Sequence, residues 1–216
     1  MKVLVTGDEG YIGTVLTQIL RGKSYEIVGY DTGFYLACEM CSFDSAYPKI
    51  RKDIRDVSLD DLQGIDAIIH LAALSNDPLG KLAPDLTEEI NLNGTIKLAR
   101  LAKQSGVSRF VYASSQSMYG VSETDDELDE ENSEKNPLTT YASTKWDAEV
   151  QLMKMADSDF TVTCFRLSTV FGVSPRLRCD IVFNNLVACA YTTGKIEVKS
   201  DGTPWRPVVH VRDVCQ

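Results

Sequence analysis

A short apolar run, Lys2-Val3-Leu4-Val5-Thr6, breaks at once into Gly7-Asp8-Glu9-Gly10-Tyr11-Ile12-Gly13, and few local folds accommodate that pairing. The run reads as a buried strand, and helix-compatible sequence resumes over 14–21. Glycine at the first position allows a tight turn, at the second it lets backbone approach a ligand, and at the third it lets the new helix pack closely. The free N–H groups and positive dipole end of that helix then suit an anion such as a pyrophosphate. The spacing is TGxxGxxG, one residue longer between the first two glycines than the common dinucleotide fingerprint. Gly7, Gly10, Tyr11, Ile12 and Gly13 are the candidate cradle.

A second strand is expected over Tyr25–Tyr30, closed by Asp31. An acidic residue roughly 20 positions past the glycines accepts hydrogen bonds from adenosine ribose hydroxyls. It also repels a 2′-phosphate, so the expected cofactor is NAD and not NADP. A strand-end Asp that only starts a turn is the plainer alternative.

The 216 residues suit one domain, or one domain with part of a second, and 44% hydrophobic with 25% charged residues describes a globular chain. A net charge of −9 argues against a nucleic-acid groove, which needs clustered Lys and Arg. The apolar runs fall short of a membrane span, and the N-terminus lacks the pattern of a secretory signal. A cytoplasmic protein with reduced thiols is therefore expected. Of six cysteines, Cys38 and Cys41 form one CxxC without a second pair at zinc-like spacing, so no metal site is expected and a loop disulfide is the alternative. Glu123 to Glu134 is dense in Asp and Glu and reads as a solvated loop.

Strand-like and helix-like segments alternate from there. Ala67–Leu71, Arg109–Ala113 and Phe160–Arg166 read as strands; Pro84–Gln104 and Thr139–Met155 read as helices. Near-continuous apolar strands alternating with helices imply a doubly wound parallel α/β sheet covered on both faces, with ligands beyond the carboxyl ends of the strands. Three clusters follow strand or helix boundaries there: His70-Leu71-Ala72-Ala73, Ser114-Ser115-Gln116-Ser117-Met118-Tyr119-Gly120, and Tyr141-Ala142-Ser143-Thr144-Lys145. Tyr141 and Lys145 share one helical face at i, i+4. An ammonium there favours the phenolate, so Tyr141 can take a proton from a substrate hydroxyl while Ser115 hydrogen-bonds the developing carbonyl. An ordinary surface Tyr/Lys pair is the alternative, and the order of glycine loop, Asp31, serine cluster and YxxxK disfavours it.

With these motifs in this order the chain resembles the extended short-chain dehydrogenase/reductase family, and within it the NAD-dependent nucleotide-sugar epimerases and dehydratases. The resemblance implies a Rossmann fold with an NAD-binding domain over 1–167 and the start of a substrate-binding region over 168–216. By the same resemblance Asp53 and Ile54 contact adenine; Leu71, Ala72 and Ala73 are strand-end cofactor contacts. Asn91, in Asn91-Leu92-Asn93-Gly94-Thr95, supports the active-site geometry beside the cofactor. Ser115, Tyr141 and Lys145 match the catalytic Ser, Tyr and Lys, and Ser168 falls near the nicotinamide. Ser117, Thr169 and Arg206 fall at substrate positions, Thr169 standing where the family pattern has Asn, and the arginine holding the sugar nucleotide's phosphates. Members continue past the position of Gln216 to complete a small substrate domain, and commonly dimerise through helices matching 84–104 and 139–155. Sugar dehydratases of the family carry an acid just after the catalytic hydroxyl, and Gln116-Ser117 supplies none. Epimerisation through a 4-keto sugar is the expectation, with dehydration, reduction and a non-catalytic NAD-binding module as alternatives.

Overall fold

A computed structural model of the chain describes residues 1–75, 77–121, 127–198, 201 and 207–216. Six parallel strands form the main sheet in the order β3-β2-β1-β4-β5-β6: β1 (Lys2–Thr6), β2 (Glu26–Asp31), β3 (Lys49–Arg51), β4 (Ala67–His70), β5 (Arg109–Ser115) and β6 (Thr161–Leu167). Helix α1 (Gly13–Gly22) follows β1. Helices α2 (Asp77–Leu82), α3 (Pro84–Glu88) and α4 (Thr95–Gln104) lie between β4 and β5, and α5 (Thr140–Met155) precedes β6. A parallel two-stranded sheet of β7 (Thr169–Phe171) and β8 (Val208–His210) completes the strands, with α6 (Val182–Thr193) and α7 (Val211–Val214). This is the doubly wound parallel sheet expected from the alternation of strands and helices.

Strand alternation explains the two-sided cover. Leu4, Val28, Tyr30, Ile68, Phe110 and Tyr112 enter one apolar cluster with Ile96, Ala99 and Ala102 of α4 and Ala148 and Leu152 of α5. Val3, Val5, Ile27 and Ala67 point to the other face, against Val15, Leu16 and Leu20 of α1. Val170, Val211 and Cys215 enter that second cluster too, so the residues after Leu167 pack directly on the first helix.

The helix expected over 84–104 is present, with a π turn inside it. A π turn over Glu89–Gly94 separates α3 from α4. The wide turn carries Asn91 inward to 1% exposure, where its side chain pairs with the Leu74 backbone. The described part of the acidic segment, 127–134, is mostly exposed; residues 123–126 lie outside the described residues. All six cysteines are free. Among the described residues no helix is long and apolar enough to cross a membrane.

Candidate active site

The sheet order reverses between β1 and β4, where the chain leaves in opposite directions and opens a crevice at the strand ends. The glycine loop fills one side of it. Gly7 adopts φ +72°, donates from its N–H to the Tyr30 carbonyl at 2.8 Å, and accepts from Gly10 N–H at 3.0 Å. A Cβ there would lie 2.9 Å from the Ala72 nitrogen, and one at Gly13 would run into the Gly7 carbonyl oxygen. Only bare backbone lets the loop and the start of α1 close this tightly. Tyr11 clamps the far side by donating its hydroxyl to the Gly172 carbonyl at 2.7 Å.

Behind the loop a chain of hydrogen bonds fixes the ends of β1 and β4. The Thr95 hydroxyl donates to the Asn91 carbonyl at 2.7 Å, so its oxygen accepts from His70 Nε2 at 2.8 Å. His70 Nδ1 then accepts from the Thr6 hydroxyl at 2.6 Å, and Thr6 Oγ1 accepts from Ala72 N–H at 3.2 Å. Burial, aided by the Lys145 charge, pushes His70 down to about 3, so the ring stays neutral and keeps this tautomer. The Asn91 amide accepts from Leu74 N–H at 2.8 Å and donates to Leu74 O at 3.0 Å. Thus Asn91 does not line the cavity: it holds the 71–74 loop that does.

That cavity, of about 500 Å³, is lined by the candidate cradle residues, Asp31, Asp53, Ile54, Leu71, Ala72, Ala73, Ser115, Tyr141, Lys145 and Ser168. Asp31 accepts from Gly33 N–H at 2.8 Å and, more weakly, from Glu9 N–H at 3.4 Å. Asp53 caps the turn at Ile54 by accepting from Arg55 N–H, and the Arg55 side chain holds its carboxyl below the usual range. At the opposite end Ser115 closes β5, its Oγ 2.9 Å from that of Ser117. Thr139 caps α5 by accepting from Ala142 N–H, which sets Tyr141 in the first turn.

Lys145 is 3% exposed; its Nζ donates to the Ala113 carbonyl at 2.7 Å and lies 4.6 Å from the Tyr112 ring centroid and 5.9 Å from that of Tyr141. Burial pushes its ammonium down to about 7, partly opposed by Cys164. An unfolded lysine stays protonated to about 10.5. Below about 7 the full cost of burying charge is therefore present, and stability rises as pH climbs from about 7 towards 10.5. Lys145→Met is expected to raise the thermal midpoint at pH 6.5 and to flatten that rise. A lower midpoint at both pH 6.5 and 9 would contradict it.

Two substrate positions expected from the sequence do not line this cavity. Ser117 is exposed and touches the cavity only through Ser115. Thr169 lies on β7, donating its N–H to the Pro207 carbonyl, while its neighbour Ser168 faces the cavity; adjacent residues at a strand start turn to opposite sides. Arg206 lies outside the described residues. Arg176 and Arg178, which the motifs did not single out, line the same cavity. Arg176 stacks on Tyr35 at 4.2 Å, and Arg178 donates to Ser75 and to Asp180. The alternating basic residues of Ser174-Pro175-Arg176-Leu177-Arg178 were their only sequence signal. Among the described residues no group of three His, Cys, Asp or Glu side chains is arranged to hold a metal.

Strand order and glycine loop put the chain in the class of parallel α/β dinucleotide-binding proteins. Residues 3–216 match the model of the NAD dependent epimerase/dehydratase family, and the chain belongs to that family. It is 29% identical over 226 residues to dTDP-D-glucose 4,6-dehydratase of Mus musculus, covering 100% of this chain and 62% of the relative. It is also 29% identical over 244 residues to UDP-glucose 4-epimerase of Bacillus subtilis (strain 168), covering 100% and 71%. Among solved structures, MoeE5 in complex with UDP-glucose and NAD superposes with a TM-score of 0.83 at 32% identity, covering 100% of this chain and 69% of that one. The chain thus spans between three fifths and three quarters of the length of these relatives. Both epimerases and dehydratases stand among them, and the family is NAD-dependent.

Proposed function

We propose that this chain carries the cofactor site and catalytic triad of a nucleotide-sugar 4-epimerase. One observation carries the choice over dehydration: among the described residues no unengaged acid stands beside Ser115. The carboxyl groups lining the described cavity are Asp31 and Asp53 at the adenosine end and Asp180, which is held by Arg178 Nε at 3.0 Å and a terminal nitrogen at 2.6 Å. Removing water from a sugar needs a further acid/base pair; inverting C4 needs only one.

The cradle fits NAD in that its glycines leave backbone where a Cβ would intrude. When bound, NAD supplies the hydride acceptor and, later in the cycle, the donor. The loop amides and α1 hold its pyrophosphate, and Asp31 takes the ribose hydroxyls. Tyr141 removes the C4 hydroxyl proton, Ser115 orients the C4 oxygen, and Lys145 binds the nicotinamide ribose and favours the tyrosinate. The 4-keto sugar then turns within the site, so that the hydride a bound cofactor would return reaches the other face of C4 while Tyr141 gives the proton back to the C4 oxygen. In this reading 1–167 form the cofactor domain and 168–216 begin the substrate region, where Arg206 binds phosphate. The same reading has a homodimer in the cytoplasm, and the six free thiols accord with a reducing compartment.

Product analysis tests this. Incubation with a panel of UDP- and dTDP-sugars is expected to interconvert 4-epimers without added reductant, and denaturation of the purified chain to release NAD. A stable 4-keto-6-deoxy sugar would establish dehydration instead.

A further inference from the structure

Glu9 sits inside the glycine loop, yet its side chain turns away from the cavity and is only 4% exposed. There it engages two cations of β3. Lys49 Nζ and one Arg51 nitrogen each donate to Oε1 at 2.6 Å, and the other terminal nitrogen of Arg51 donates to Oε2. The pair is bidentate, the strongest geometry available to a guanidinium. Burial pushes the Glu9 carboxyl up, but Arg51 and Lys49 outweigh it and hold the group below its ordinary value, so it stays ionised at neutral pH.

The position of these cations gives the pair a meaning beyond stability. β3 neighbours β2, and Arg51 is the register partner of Asp31. A Cβ on Gly33 would lie 2.9 Å from Arg51 Nη1, and Gly33 N–H is the group that orients the Asp31 carboxylate. The guanidinium therefore rests on the turn that presents Asp31. Neither Lys49 nor Arg51 lines the cavity, whereas Asp31, Thr32 and Tyr35 do. Arginine beside this position is how related folds accept a 2′-phosphate.

We propose that Glu9 is a specificity-determining residue: by engaging Arg51 and Lys49 it withholds them from the ribose 2′-position and adds to the discrimination that Asp31 exerts against NADP. Discrimination is then a matter of two acidic residues, one facing the cofactor and one disarming the cations behind it.

Calorimetric titration of the purified chain with NAD and with NADP, without substrate, tests the assignment. In Glu9→Gln the ratio of NADP to NAD dissociation constants is expected to fall at least about tenfold, the worth of one charge-assisted contact. Adding Arg51→Met to that variant should restore most of the ratio. Arg51→Met alone, with Glu9 in place, should leave NADP affinity unchanged, and this arm decides the matter if Glu9→Gln does not fold. NAD binding with an unchanged ratio in Glu9→Gln, or weaker NADP binding in Arg51→Met alone, would overturn the assignment. An unaltered chain that binds neither dinucleotide would overturn the cofactor site and this role with it.

Discussion

Tyr141→Phe is expected to lower epimerisation turnover at least about a hundredfold, the low end for loss of a general acid/base. The substitution keeps the ring against the cavity wall and the 5.9 Å approach of Lys145 to it, and removes only the proton-carrying oxygen. No other described group on that wall can replace it. Ser115 is far too weak a base, and Lys145, set back on the Ala113 carbonyl, is assigned to the cofactor ribose. The loss should therefore fall on kcat, while NAD affinity, assigned to the glycine loop and Asp31, changes little. Initial rates of 4-epimer formation with a parallel NAD titration measure both. An unchanged rate would end the catalytic assignment, and a lost NAD affinity would show that Tyr141 holds the cofactor more than it moves a proton.

The second large effect concerns stability. Glu149 is 5% exposed on α5, and its two oxygens are fully used: Oε1 accepts from Arg166 at 3.0 and 2.7 Å, and Oε2 accepts from the Ser114 hydroxyl at 2.6 Å. Arg166 also donates to the Tyr119 hydroxyl at 2.5 Å and to the Glu130 carbonyl, with its guanidinium against the Trp146 and Tyr119 rings. Arg166→Met would leave a carboxylate in the interior with one neutral donor. Breaking a buried pair on one side costs about 3–5 kcal/mol, whereas replacing both members is often close to neutral. Urea unfolding should show that loss in the single variant and recovery of most of it in Glu149→Met/Arg166→Met. A single-variant loss below about 1 kcal/mol, the scale of an exposed pair, would mean that solvent reaches the site.

Sequence and structure agree where short-range chemistry decides. The break from Thr6 into Gly7, the Asp31 at the end of β2, and the Tyr141/Lys145 spacing are local signals, and Gly7, Asp31, Tyr141 and Lys145 line the same cavity. The pairings that hold the site together were illegible because they join residues far apart in the chain. Nothing in Glu9 names Arg51 as its partner, and nothing in Glu149 names Arg166. His70 read as one of several residues flanking a cofactor, yet it is the buried centre of a relay from Thr6 to Thr95. β3 escaped notice because three residues are too few for a period to show, and Lys49 and Arg51 look solvated. The π turn has no sequence signature separate from the apolar stripe around it, and only the polar Asn91 at its centre marks the interruption.

The second apolar cluster has a consequence for synthesis. It joins Val15 and Leu16 to Val211 and Cys215, about 200 residues further along the chain, with the Cys215 thiol on the Ile12 carbonyl and Lys23 on that of Gln216. At ribosomal speeds of about 5–20 residues per second, the outer face of α1 waits roughly ten seconds or more for its cover. The candidate nucleotide loop is thus translated well before the residues that cover its helix.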